Sequence, residues 1–275
     1  MNFAEKLDVV IQGPYTEITD QIIDSYLNIP FVNNIIVSCW KDNKESEHKE
    51  RVKFVRNDYP QSPGTDNKNL QIVSSLNGLK SCETKFSIKT RSDQKFSYDS
   101  MIKMYDFFIS ENHKTISYEY NYQKPYNRIL VAGFYPNFLF SVRDHLYWGN
   151  TKDLIELFDI PLEKNSLIDI IKVPKERLIN YIQYFTRTET YIGAHYCANF
   201  SQEVNRLLLL PKEHLYDDAI YWYYSKEISD IITPSVFKSF PKSTINLEWV
   251  KLGNHEFNFN LYDYLNFSFW HEDGF

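Results

Sequence analysis

Leu7-Asp-Val-Val-Ile-Gln12, followed at once by Gly13-Pro14, is a short apolar run closed by two residues that break a strand. Nearly continuous apolar runs of this length mark strands covered on both faces, as parallel strands are. Beyond it, Ile18, Ile22, Ile23, Tyr26 and Leu27 recur at the spacing of one helix face. The alternation then repeats. Asn34-Ile-Ile-Val-Ser-Cys39 predicts a second strand and Val52-Lys-Phe-Val-Arg56 a third. A turn-rich loop from Asn57 to Gly64 carries Pro60, Pro63 and Gly64. Asp66 caps a helix in which Leu70, Val73, Leu76 and Leu79 share a face, and Thr84 to Thr90 forms strand four. Strand and helix alternating in this way predict the α/β class, with a mostly parallel sheet and helices on both faces.

Downstream the pattern is less regular. Ser97 to Ser110 reads as a helix, and Arg128 to Ala132 and Asn137 to Val142 as strands. Asn150 or Thr151 caps a helix over Asp153 to Phe158. Pro174 suits the first turn of a helix over Lys175 to Phe185, Thr188 caps one containing Glu189, Tyr191 and Ile192, and another covers Asp217 to Tyr224. The tail, Phe237 to Phe275, is aromatic and strand-like, and the sequence shows no repeat or flexible linker.

At 275 residues, 43% hydrophobic and 24% charged, the chain can bury a sizeable core. Its net charge of −6 excludes a general nucleic-acid surface, which needs clustered Lys and Arg. Cys39, Cys82 and Cys197 are odd in number and lack zinc spacing, so they read as buried free thiols of a reducing compartment. The start lacks the pattern of a signal peptide, and no apolar stretch approaches the ~18 residues that span a bilayer. The expected location is the cytoplasm, with peripheral contact at the inner face of the membrane. The 21 Tyr and 20 Phe suit sugar or base faces, and equally suit a compositional bias of the coding sequence.

Lys85-Phe-Ser-Ile-Lys-Thr-Arg-Ser-Asp93 is the segment richest in chemistry. Strand alternation places Lys89, Arg91 and Asp93 on one face at the carboxyl end of strand four, where ligand crevices of open α/β sheets lie. Two cations beside a carboxylate match a diphosphate with a divalent metal, Asp93 binding Mg²⁺ or Mn²⁺ while Lys89 and Arg91 neutralise phosphate oxygens. The competing reading is a solvated ion-pair cluster. Gln12, Gly13 and Pro14 open strand one into the same crevice, or form a plain turn. Trp40 can stack on a base or close the core. Asp42 and Asp58 can bond a ribose or base, or simply be solvated. His195 and His271 have no ligand spacing and are read as non-ligands.

Val9-Val-Ile-Gln-Gly-Pro14, Ile35-Ile-Val-Ser-Cys-Trp40, Asn69-Leu-Gln-Ile-Val-Ser-Ser-Leu-Asn-Gly-Leu79 and Lys89-Thr-Arg-Ser-Asp93 occur in an order and spacing that resembles the WavE family of lipopolysaccharide-synthesis proteins. Gly149-Asn-Thr-Lys-Asp-Leu154 and Glu189-Thr-Tyr-Ile192 extend the resemblance more weakly, to roughly the first 200 residues. It implies a GT-A-like, Rossmann-type glycosyltransferase with a nucleotide-sugar donor and a glycan or lipid-linked glycan acceptor. Arg-Ser-Asp is similar to the Asp-x-Asp motif of GT-A enzymes with its first acid replaced by Arg91, and Leu70 stands where the family pattern commonly has an Arg. The expected layout is a single domain, 1–275, with a nucleotide-binding half, 1–96, and an α-rich, aromatic acceptor-binding half, 97–275. For an inverting reaction Glu189 is the first choice of catalytic base, with Asp217 and Asp218 in reserve. A sugar nucleotidyltransferase is the competing enzyme, although Gly13 lacks the companion glycines its loop needs. A non-catalytic glycan-binding protein on a transferase fold is the third reading.

Overall fold

The computed structural model describes residues 3–43, 51–112, 127–135, 138–164, 187–209 and 219–249. Strands β1 (Leu7–Gln12), β2 (Val32–Trp40), β3 (Val52–Asn57) and β4 (Phe86–Arg91) run parallel. They join β6 (Ile129–Val131), β7 (Leu146–Asn150) and β8 (Phe237–Ser239) in a seven-stranded sheet of order β3-β2-β1-β4-β7-β6-β8. Only β7 runs against its neighbours in this sheet. A separate pair joins β5 (Gln94–Phe96) to β9 (Leu247–Trp249). One sheet therefore runs through both halves of the chain.

Helices cover both faces, as expected for a sheet whose central strands are apolar throughout. On one face α1 (Glu17–Leu27) and α3 (Tyr98–Asn112) pack Ile22, Tyr26, Met104 and Phe108 against Val9, Ile11 and Ile88. On the other, α2 (Lys68–Leu79), α4 (Thr151–Phe158), α5 (Thr188–Ala198), α6 (Gln202–Leu209) and α7 (Ala219–Val236) cover Val10, Ile36 and Tyr147. Asp8, the one charge inside β1, is fully buried. Its carboxylate accepts from Asn33 Nδ2 at 3.0 Å and from the backbone N–H groups of Asn34, Glu83 and Thr84 at 3.1, 2.6 and 3.1 Å. A buried carboxylate so satisfied ties together the starts of β1, β2 and β4.

The first four strands lie where the apolar runs place them. Of the strand expected over Asn137 to Val142, Asn137 lies outside the described residues and the rest is not a strand: Phe138 to Phe140 form a bend and turn, Phe140 has φ +51°, and among the described residues a single bridge links Phe134 to Val142. The strand of this region is β7, from Leu146. Of the expected face of α2 only Leu79 is fully buried. Gln71, Ser74, Ser75 and Gly78 are buried on the sheet, whereas Leu70, Val73 and Leu76 are only partly buried. The helix lies too close to the sheet for larger residues: a Cβ on Gly78 would sit 2.6 Å from Val10 Cγ1 and 2.9 Å from Ser38 Cβ. Cys39, Cys82 and Cys197 are free thiols, with Cys39 and Cys197 buried and Cys82 half-buried. The helix expected over Lys175 to Phe185 and the tail beyond Trp249 lie outside the described residues. No described helix is long and apolar enough to cross a membrane.

Candidate active site

Strands β1 and β4 end together. Gln12 pairs with Arg91, and the Ser92 N–H donates to the Gln12 carbonyl at 2.9 Å. Gly13 then turns away at φ +130°, and a Cβ there would meet Ser92 Oγ at 2.5 Å, so glycine suits both the conformation and the close approach. Beyond these strand ends lies a cleft of about 670 Å³. That volume falls within the range of small-molecule sites.

One end of the cleft is formed by Gln12, Gly13, Pro14 and Trp40. Trp40 stacks on Tyr59, rings 4.5 Å apart at 15°, so its indole is held as part of the wall. Asp66, Asn67, Leu70 and Gln71 form the flank along α2. Asp66 and Asn67 adopt left-handed backbone, φ +56° and +58°, and the turn that holds them is pinned from behind. Glu163 accepts from the Thr65 N–H at 2.5 Å and pairs with the fully buried Lys68 at 2.9 Å. The Thr188 hydroxyl donates to the Asp66 carbonyl at 3.3 Å.

Arg91, Asp93, Asp144 and Glu189 make the charged end. The Arg91 guanidinium donates through Nε and Nη2 to the two oxygens of Asp93, at 2.9 and 3.0 Å, and through Nη1 to Asp144 Oδ2 at 2.8 Å. Burial alone would raise the Asp144 carboxyl, but Arg91, His145 and Lys89 outweigh it and hold it at about 2. The same charges work on Arg91, where burial is outweighed by Asp144 and Asp93 and the cation is strengthened. Glu189, in the first turn of α5, is pushed up to about 7 by burial and then by the Asp144 charge. Asp66 is raised for the same two reasons.

Lys89 does not line the cleft, contrary to the reading that put it on phosphate. It is fully buried one layer below, its Nζ 3.1 Å from the Asp144 carbonyl and over the rings of Tyr147 and Phe158. Burial lowers it to about 7 against the pull of Asp144. Asp42 and Asp58 also lie away from the cleft: Asp42 accepts from the Tyr59 hydroxyl at 3.1 Å, and Asp58 pairs with Lys41 at 2.7 Å. His195 Nδ1 donates to the Tyr191 carbonyl at 2.9 Å. Asp217, Asp218 and His271 lie outside the described residues.

Asp144 and Gln71 are site residues that sequence reasoning missed. For Asp144 a signal was present: Arg143-Asp-His145 is a charged triplet set directly against the apolar Leu146-Tyr-Trp148, as Arg91-Ser-Asp93 is set against strand four. Among the described residues no group of three or more His, Cys, Asp or Glu is placed to hold a metal ion.

Comparison with solved structures finds distant likenesses. The 4-diphosphocytidyl-2C-methyl-D-erythritol synthase of Anaerococcus prevotii DSM 20548 is 8% identical over 71% of this chain and 95% of its own, with a TM-score of 0.39. HddC of Yersinia pseudotuberculosis is 16% identical over 58% of this chain and 83% of its own, with a TM-score of 0.36. TarS of S. aureus is 13% identical over 71% of this chain but only 34% of its own, with a TM-score of 0.37. No curated protein matches the chain. The family model described as WavE lipopolysaccharide synthesis matches residues 7–222, well over half of the chain, and the protein therefore belongs to the WavE family.

Proposed function

We propose that the protein is a glycosyltransferase that moves a sugar from a nucleoside-diphosphate donor to a surface-glycan acceptor of the lipopolysaccharide or capsule type. Membership of a lipopolysaccharide-synthesis family supports that class. The observation that carries the reading is Arg91, fixed between two carboxylates at the carboxyl end of β4 and facing a cleft of nucleotide-sugar size. In this reading the nucleoside lies toward Gln12, Gly13, Pro14 and Trp40, and the diphosphate toward Arg91.

Leaving-group charge is the main electrostatic demand of such a reaction, and a fixed guanidinium meets it without reorganisation. In an inverting transfer the acceptor oxygen bonds to the anomeric carbon as the bond to diphosphate breaks, and Glu189 takes the acceptor proton. A carboxyl near 7 is well matched to that task, being half ionised at neutral pH yet a far stronger base than an ordinary Glu.

A metal cage made by the protein alone does not fit, because among the described residues no three His, Cys, Asp or Glu are placed to hold an ion, although Asp93 keeps a lone pair on each oxygen beyond those given to Arg91. A cation carried in with the donor does fit. Four carboxyl groups face the cleft against one lining guanidinium, and Mg²⁺ or Mn²⁺ characteristically binds one or two carboxylates together with substrate phosphates. Asp93 is the residue to hold it, and the ion would supply positive charge to the diphosphate oxygens. A thermal-shift series of nucleoside diphosphates and nucleotide sugars, with and without Mn²⁺, tests the proposal. Donor at 100 times its Kd should stabilise the protein by about 2.7 kcal/mol. No shift with any of them would remove the donor reading.

A further inference from the structure

Behind the charged end of the cleft lies a second layer of polar groups. Asp144 sits in the turn before β7 with its side chain 6% exposed, while the Arg91 side chain is 28% exposed. Asp93 occupies the Nε and Nη2 edge of the guanidinium, and Asp144 takes Nη1, the nitrogen that edge leaves out. With its amide oxygen turned to Lys89, Gln71 accepts from Nζ at 3.2 Å and donates to Asp144 Oδ2 at 3.2 Å. Lys89 Nζ donates in turn to the Asp144 carbonyl at 3.1 Å. Both the carboxylate and the backbone of Asp144 are thus held from α2 and β4.

Buried ion networks of this kind contribute little net stability compared with apolar residues of the same volume, so folding alone does not account for one. What a planar, multiply bonded guanidinium gains is a fixed direction. We propose that Asp144 is a positioning residue of the donor site, holding Arg91 in register with the cleft while Gln71 and Lys89 hold Asp144. The consequence for donor binding rests on the glycosyltransferase reading above; the orientation of Arg91 does not.

Asp144 also acts on Glu189. The charged and titratable groups that face Glu189 are Asp144, Arg187 at the start of its own helix, Asp66 across the cleft, Lys89 below, and Tyr147 and Tyr135. After burial, Asp144 is the largest influence raising it. Removing that charge lowers the pH at which Glu189 ionises.

The test uses Asp144→Asn, which keeps the side-chain shape, and Asp144→Ala, with Arg91→Lys to assign in ¹⁵N spectra the resonance of the Arg91 Nη1 proton that is given to Asp144. In the ligand-free parent that proton should exchange slowly. It should exchange at least 10-fold faster in Asp144→Ala, with Asp144→Asn in between and a melting temperature near the parent's. Unchanged exchange in Asp144→Ala overturns the positioning role. The second readout is calorimetric binding of UDP, GDP, ADP, CDP and TDP with Mn²⁺, in which the best ligand should bind Asp144→Asn about 10-fold more weakly. The acid limb of kcat/KM should move to lower pH in the same variant. Equal affinity and an unmoved limb would contradict the inference. If the parent binds none of the five, the donor reading fails, and the exchange rates alone decide on Asp144.

Discussion

At the Gln12 end of the cleft the backbone is already committed: the Gln12 carbonyl accepts from Ser92, and the Gly13 N–H donates to the Ser38 carbonyl at 3.1 Å. Shape remains, supplied by the stacked Trp40 and a glycine at φ +130°. At the Arg91 end the backbone matters less and the side chains carry opposed charges, some strengthened and some held near 7. The first end suits recognition of a flat, uncharged group, and the second suits charge that develops or moves during reaction. Substitutions at the two ends should therefore separate: those at the charged end lower turnover, and at Arg91 and Asp144 donor affinity as well, whereas those at the shaped end lower affinity with turnover little changed.

The largest effects are expected at the charged end. Asp93→Ala should reduce kcat/KM by about 100- to 1000-fold, the loss seen when a preorganised electrostatic contact is removed. Its melting temperature should stay close to the parent's, because the side chain is 28% exposed. Unchanged turnover would take Asp93 out of the site. Glu189→Gln should lower kcat by about 100-fold with donor affinity retained, since the amide keeps the shape but cannot accept the proton. In the parent, kcat/KM should rise as pH increases through about 7, because Glu189 becomes a base only on losing its proton. A flat profile between pH 5.5 and 8 would separate this carboxyl from the chemistry.

Effects at the shaped end should be smaller and of another kind. Gly13→Ala places a Cβ 2.5 Å from Ser92 Oγ in a backbone region L residues avoid, so it should cost about 1–3 kcal/mol of stability as well as donor affinity. Trp40→Ala should weaken donor binding by about 3- to 10-fold with kcat little changed. A kcat loss as large as that of Glu189→Gln would erase the distinction between the two ends. Asp42→Ala and Asp58→Ala should change kcat/KM by less than about twofold, because these exposed side chains pair with Tyr59 and Lys41 outside the cleft.

The same contrast governs what the sequence disclosed. β1 to β4 were legible because parallel strands covered on both faces read as apolar runs, and Gly13-Pro14 marks where the first of them stops. Arg91 and Asp93 were legible because charges at the end of such a run need a partner. The face of α2 was legible only at Leu79, since close approach to the sheet selects Gly78 and Ser74 over Leu70, Val73 and Leu76, which periodicity also favours. β7 was missed for a related reason. Phe138-Leu-Phe140 has the composition of a strand, yet it turns over α5, where a Cβ on Gly193 would meet the Phe140 carbonyl oxygen at 1.9 Å. Only the fold, by setting antiparallel β7 beside β4, brings Asp144 to Arg91 from 53 residues away.

Calorimetric titration of the parent and of Arg91→Ala with the nucleotide sugar that gives the largest thermal shift, in Mn²⁺ at two salt concentrations, tests the central claim most directly. The expected result is saturable binding by the parent and affinity at least about 10-fold weaker in Arg91→Ala, since a charged hydrogen-bond donor to phosphate is lost. The deficit should persist at high salt, because a half-buried guanidinium is screened far less than a surface charge. Equal affinity of the two proteins for the same donor would contradict the placement of its diphosphate at Arg91.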